Sequence, residues 1–296
     1  MPFEPFAPGN QRGRLAVTAL IGLFASAAQG AVSPATGSPS AASATVSSAT
    51  IAGAVERVDD RDRGFNLAFG TSYAEGDFGA ARNTSIVSAP LSVRAKLGSV
   101  RLSAAVPYMR IRSDGIIYTG IDSTAVVVAP GATPQQRTAK GLGDLTLGGT
   151  YTLSALPGGT ELELAGRVKL PTGRSSLTSG RTDYALGVQA TRPINRFAPF
   201  VSATYRVLGD RRDLSLRDGF AAAAGTSFYA GRGTVVLASY HYGRAATRLV
   251  PDSHELFAGA SMPLPASRLR LTAYATAGLS QGAAAGSGGL SLSVGF

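Results

Sequence analysis

The sequence predicts an all-β chain: a transmembrane antiparallel up-and-down β-barrel of about 12 strands, preceded by a signal peptide and a disordered linker. Three observations carry this expectation. Runs of roughly ten residues alternate apolar with polar side chains, the signature of strands with one face on apolar material and one on water. The connections between those runs alternate in length. Charged residues are only 16% of the chain, and 37 glycines and no cysteine accompany them. Ordinary soluble domains carry about 25% charge.

The first 30 residues read as a secretory signal peptide. Arg12 and Arg14 precede an apolar, Ala-rich stretch from Leu15 to Ala28, and small residues follow. That apolar stretch is too short to span a bilayer. Residues 31–62 are an Ala/Ser-rich periplasmic linker, too poor in apolar side chains to order itself. Residues 63–296 form the barrel, with strands expected at 64–74, 85–97, 100–112, 141–153, 160–170, 182–192, 197–208, 218–229, 234–243, 254–262, 268–279 and 289–296.

Short links at 98–99, 154–159, 193–196, 230–233 and 263–267 alternate with longer ones at 75–84, 113–140, 171–181, 209–217, 244–253 and 280–288. Tight periplasmic turns and longer outer loops give an outer-membrane barrel this rhythm. An even strand number then leaves both termini in the periplasm, and the apolar face of the wall against outer-membrane lipid. Aromatic residues fit the same frame. Tyr73, Tyr108, Tyr184, Tyr205, Tyr240 and Tyr242 fall at the outer rim, and Tyr151, Phe197, Phe228 and Phe296 at the inner rim. All ten share the apolar face of their strand. The final alternating run, ending on Phe296, is similar to the C-terminal signature that the barrel-assembly machinery recognises in bacterial outer-membrane proteins.

The hairpin 140–173 is the clearest of the repeats. Leu145, Leu147 and Tyr151 oppose Asp144, Thr146, Thr150 and Thr152. After a Leu-Pro-Gly-Gly link, Leu162, Leu164, Val168 and Leu170 oppose Glu161, Glu163, Arg167 and Lys169. Asp144 is expected in the lumen near the outer end, paired with Lys140 or a neighbouring arginine. Gly141 and Gly143 fall on the lipid face and suggest a bend or a close approach. The pieces Gly141-Leu-Gly-Asp-Leu-Thr-Leu and Val168-Lys-Leu-Pro-Thr-Gly173, with Val106-Pro-Tyr108, resemble the outer-membrane porins linked to meta-pathway phenol degradation. The resemblance implies a transport channel and settles no substrate.

The expected function is passive passage of small solutes, aromatic or hydrophobic compounds among them, through the outer membrane of a Gram-negative cell. The candidate pore-lining residues are Arg94, Lys96, Arg101, Asp144, Glu161, Glu163, Arg167, Lys169, Arg206, Arg268 and Arg270. Basic side chains outnumber acidic ones there, which predicts a weak preference for anions. Loop 113–140 is the longest, and its Ile116, Ile117, Val126, Val127 and Val128 are apolar for an exposed segment. It is expected either to fold inward as a constriction, to cap the mouth, or to lie over the rim.

Other functions fit less well. The net charge of +10 is spread singly over strands and loops, which argues against a nucleic-acid partner. Ser239 and His241 share a lumen face, but the order Ser-x-His and the missing third group argue against a lipid hydrolase. No catalytic residue, cofactor or metal site is expected, since two histidines and no cysteine leave a poor ligand set. A structural or surface-interaction barrel is the main alternative.

Overall fold

A computed structural model describes residues 63–78, 82–121, 125–129, 136–209, 216–249 and 251–296. The expected signal peptide and linker lie outside the described residues. The barrel wall starts with β1 (Arg63–Gly76), β2 (Thr84–Leu97) and β3 (Val100–Ser113). Within the next loop lies a separate two-stranded hairpin, β4 (Ile116–Thr119) and β5 (Ala125–Ala129). The wall resumes with β6 (Arg137–Leu142) and β7 (Leu145–Leu156), which together make its fourth member. It continues through β8 (Thr160–Leu170), β9 (Asp183–Thr191), β10 (Phe197–Val207) and β11 (Gly219–Gly231). It ends with β12 (Thr234–Gly243), β13 (Ser253–Pro263), β14 (Leu269–Gly278) and β15 (Gly286–Gly295).

Each wall strand pairs antiparallel with its neighbours in sequence, and β1 pairs with β15 from Asn66↔Gly295 to Glu75↔Gly286. That last ladder closes the sheet, so no edge is left with unpaired N–H and C=O groups. Counting β6 and β7 as one strand, the wall is the 12-stranded barrel that the alternation predicts. Backbone conformation explains the tight ends. At 232–233 both Arg232 (φ 50°) and Gly233 (φ 73°) are left-handed, as a two-residue hairpin that follows the strand twist requires.

The outward face is apolar. Phe69 is 57% exposed, Leu186 71% and Val201 59%, and exposed Leu91, Leu102, Leu164, Val236, Leu256 and Leu290 continue the band. A contiguous exposed apolar surface of this extent needs lipid, since soluble monomers rarely expose more than a few hundred Å². All ten aromatics of the expected girdles sit on this outward side. Six tyrosines lie toward the long-loop end. Tyr151, Phe197, Phe228 and Phe296 lie toward the short turns, where Phe197 and Phe228 pack with ring centroids 5.0 Å apart.

The fourth wall strand departs from simple alternation. Tyr108 pairs with Leu142 and Ala105 with Thr146, so Val106 and Pro107 of β3 face three residues, Gly143, Asp144 and Leu145. This is a β-bulge, and it sits where Pro107 has no N–H to offer the ladder. One extra residue flips every side chain upstream of it. Leu142 and Lys140 therefore point outward, while Gly141 and Gly143 point inward. The expected lipid-face placement of the two glycines is corrected by this flip, as is any pairing of Lys140 with Asp144. Residues 137–140, read as loop from the sequence, belong to β6.

Gly143 is needed for space. A Cβ there would stand 2.7 Å from Thr119 Oγ1 and 2.9 Å from Pro107 Cγ. Gly143→Val is expected to destabilise the barrel by about 1–3 kcal/mol, the usual range for overpacking. Semi-native gels check this. The temperature at which the folded band converts to the unfolded one should fall, and an unchanged temperature would contradict the close packing.

Candidate functional site

The hairpin β4–β5 does not lie over the rim. It enters the long-loop mouth and packs against the inner wall, which resolves the alternatives for loop 113–140 in favour of inward folding. Ile117, Val127 and Val128 are buried, and Ile117 and Val127 join one apolar cluster with Ile86, Met109, Ile111, Phe78, Leu177, Ala245 and Ala284. That cluster draws on β2 and β3 and on four other long loops, so the loops converge on the hairpin. Val126 and Val128 meet Ala246 on the far side, and Thr247 Oγ1 donates to Val128 O at 2.9 Å. Each fully buried Val, Leu or Met side chain contributes about 1.5–3 kcal/mol.

A buried polar cluster fixes the tip of the hairpin. Lys169, inward on β8, is fully buried, and its Nζ lies 3.1 Å from Asp144 Oδ2 and 2.8 Å from Asp183 Oδ2. The same ammonium donates to Ser179 Oγ at 3.0 Å and to Thr119 O at 3.3 Å. Two carboxylates against one ammonium leave a net negative charge that burial alone would disfavour. Three donors offset it. Gly173 N (2.8 Å) and Thr178 Oγ1 (2.9 Å) donate to Asp144, and Gly209 N (2.9 Å) donates to Asp183. Thr119 N and Oγ1 both reach Leu177 O, at 2.7 and 3.0 Å. Removing one partner of such a cluster costs about 3–5 kcal/mol, because the others are left buried and unpaired.

The two sequence pieces that carry the family likeness meet here. The bulge directs Asp144 inward, and the turn after β8 folds over it. Arg174 N donates to Leu142 O (2.9 Å), and Leu145 N donates to Thr172 Oγ1 (2.9 Å). Asp183 is absent from the sequence candidates. It occupies the first inward position of β9, so the alternation of that strand carries the signal.

Beyond the hairpin, most of the charged candidates lie inward on β2 to β8, with Ala105 and Ala165 between them. Lys96 and Arg101 are cross-strand partners near the short turns, and Arg101 Nη2 lies 3.6 Å from Glu163 Oε1. Arg94, Glu161 and Arg167 are inward and half-buried on the same wall. Arg206 is inward and half-buried near the long-loop end of β10. Arg270 reaches across the short-turn end to Gly233 O (2.8 Å) and Ser261 Oγ (3.2 Å). Arg268 differs from the expectation. It is exposed in the turn before β14 rather than on the wall.

The wall from β10 to β14 is mixed: an apolar and aromatic cluster sits among inward Arg206, Ser227, Ser239, His241, Glu255 and Arg270. Phe200, Val235, Leu237 and Phe257 form a buried cluster with Ala223, Tyr229 and Tyr274. The rings of Phe257 and Tyr274 stack with centroids 5.6 Å apart. A Cβ on Gly289 would meet the Tyr274 ring at 2.7 Å, so glycine makes room for that ring. The sequence conceals this wall because β12 reads Val235-Val-Leu237, apolar on both faces, which hides the alternation. Ser239 Oγ lies 2.8 Å from His241 Nε2 on the same wall, and the imidazole packs on Phe257. Glu255, buried, is the Cα partner of that histidine on β13.

No protein-family model matches the sequence, and no curated protein matches it. Among solved structures, an outer-membrane channel of Pseudomonas putida F1 aligns with a TM-score of 0.60 at 11% identity, over 79% of this chain and 96% of that one. The translocator domain of the autotransporter NalP from Neisseria meningitidis aligns with a TM-score of 0.45 at 10% identity, over 84% and 95% of the two chains. The toluene transporter TodX of P. putida aligns with a TM-score of 0.38 at 10% identity, over 82% and 92%. The first of these is a likeness of fold: this chain has the barrel fold of an outer-membrane channel.

Proposed function

We propose that this chain is an outer-membrane channel for the passive passage of small solutes, aromatic or hydrophobic compounds among them. Its long loops face the outside and both termini the periplasm. One observation supports the reading: a closed 12-stranded wall, apolar on the outside and carrying charged, polar and aromatic side chains inside, with a hairpin folded in at one mouth. Phe200, Leu237 and Phe257 pack on one another inside the barrel with Tyr274 beside them, and charged side chains line much of the rest of the interior. Arg94, Lys96, Arg101, Glu161, Glu163, Arg167, Arg206 and Arg270 are the residues we assign to the route, and Asp144 and Lys169 to its closure.

The 141–147 and 168–173 motifs resemble porins linked to meta-pathway phenol degradation, a likeness that implies a channel and leaves its solute open. Phe296, outward at the short-turn end and tilted against Phe65 at 6.2 Å, is the side chain we assign to recognition by the barrel-assembly machinery.

Liposome swelling tests the channel directly. The intact protein should admit small aromatic solutes slowly, and deletion of 115–137 should speed swelling several-fold by removing the hairpin. Swelling absent in both would leave a structural barrel. In a salt gradient across a planar bilayer, the reversal potential of the deletion variant should show a weak anion preference, because inward arginine and lysine exceed the acids not held in the mouth. A cation-selective potential would overturn that assignment.

A further inference from the structure

The bulge has a second effect, on the outside of the barrel. By turning Lys140 outward it sets this side chain directly across from Arg110, its Cα partner on β3. Arg112 follows on the same face two residues on, which is about 7 Å along the strand. All three are exposed. Like charges directly opposite in a sheet repel one another. No carboxylate pairs with any of the three among the described residues.

Their height on the barrel is set by their neighbours. Tyr108 and Leu142, exposed and apolar, lie one repeat below on the same face, Val87 stands beside Arg110 as its Cα partner on β2, and Leu91 lies four residues further along that strand. The surface therefore changes from apolar to cationic within one inward–outward repeat, just past the tyrosine girdle. Elsewhere on that rim the tyrosines meet acids or histidine instead. Tyr73 donates to Glu75 (2.7 Å), Tyr205 to Asp218 (2.8 Å) and Tyr242 to Asp252 (2.6 Å), and Tyr240 bonds His254. Glu75, the nearest of these carboxylates, is held by Tyr73 and Asn83, and Ser85 on β2 separates its strand position from that of Arg112. The basic group is confined to β3 and β6.

We infer that Arg110, Arg112 and Lys140 bind the phosphates of a phosphorylated membrane lipid, whose acyl chains lie along Tyr108, Leu142, Val87 and Leu91. An anion bridging Arg110 and Lys140 removes their repulsion, and arginine forks match phosphate oxygens in a bidentate fashion. The apolar strip beneath selects an amphiphile over a free anion. The inference rests on the placement of the barrel in a membrane and is independent of what the lumen carries.

Native mass spectrometry of the full chain in detergent tests it, with bisphosphorylated lipid A and phosphatidylcholine as probes. The protein should retain lipid A about tenfold more tightly than phosphatidylcholine, and R110Q/R112Q/K140Q should lose that preference. The charge-conserving R110K/R112K/K140R should keep most of it. Equal retention by the glutamine variant would overturn the site, and displacement of lipid A by excess inorganic phosphate would overturn a lipid in favour of a plain anion site. The three side chains are exposed, so heat-modifiable migration of each variant should match the parent. Liposome swelling should also be unchanged, which separates failure here from failure of the channel reading.

Discussion

Pro107 cannot donate to the strand beside it, and that strand carries one residue more than the ladder needs. From this mismatch follow the three features that distinguish the barrel from a plain cylinder. Asp144 turns inward to meet Lys169, Gly143 opens the space that Thr119 fills, and Lys140 turns outward beside Arg110. A bulge re-aims side chains at the rim of a barrel. Here it re-aims them on both surfaces at once, so the closed mouth and the cationic strip outside it share one cause.

The mouth is held by two unlike forces. Apolar burial of Ile117, Val127 and Leu177 supplies most of the favourable energy and has no fixed geometry. The Lys169 cluster adds little net stability by itself, since the desolvation of three ions offsets their attraction. What it contributes is position. Its ammonium must reach Asp144, Asp183, Ser179 and the carbonyl of Thr119 together, and one seating of the hairpin satisfies all four.

Much of this architecture is legible in the residues. Strand number, the short and long links and the outward girdles all follow from period-2 alternation and from glycine and proline at turns. Three things are not. In Gly141-Leu-Gly-Asp-Leu145 the glycines carry no side chain to mark a face, so the one-residue slip leaves the pattern intact in either register. The sequence offers Asp144 a partner four residues away, whereas the ladder brings Lys169 and Asp183 from the next two strands. The aromatic cluster is hidden because β12 and β13 carry apolar side chains on both faces, with Val235, Leu237 and Phe257 inward beside Ser239, His241 and Glu255.

The central claim is that the hairpin is seated in the mouth and that Lys169 keeps it there. The chain has no native cysteine, so Val127→Cys reports on the seat alone. The rate at which the introduced thiol reacts with a charged, membrane-impermeant maleimide should be slow in the folded barrel. It should rise at least about tenfold when Lys169→Met is added, as local opening becomes cheaper. A thiol in Val127→Cys that reacts as fast as one in Ser99→Cys, at an exposed turn, with Lys169 present, would contradict the account.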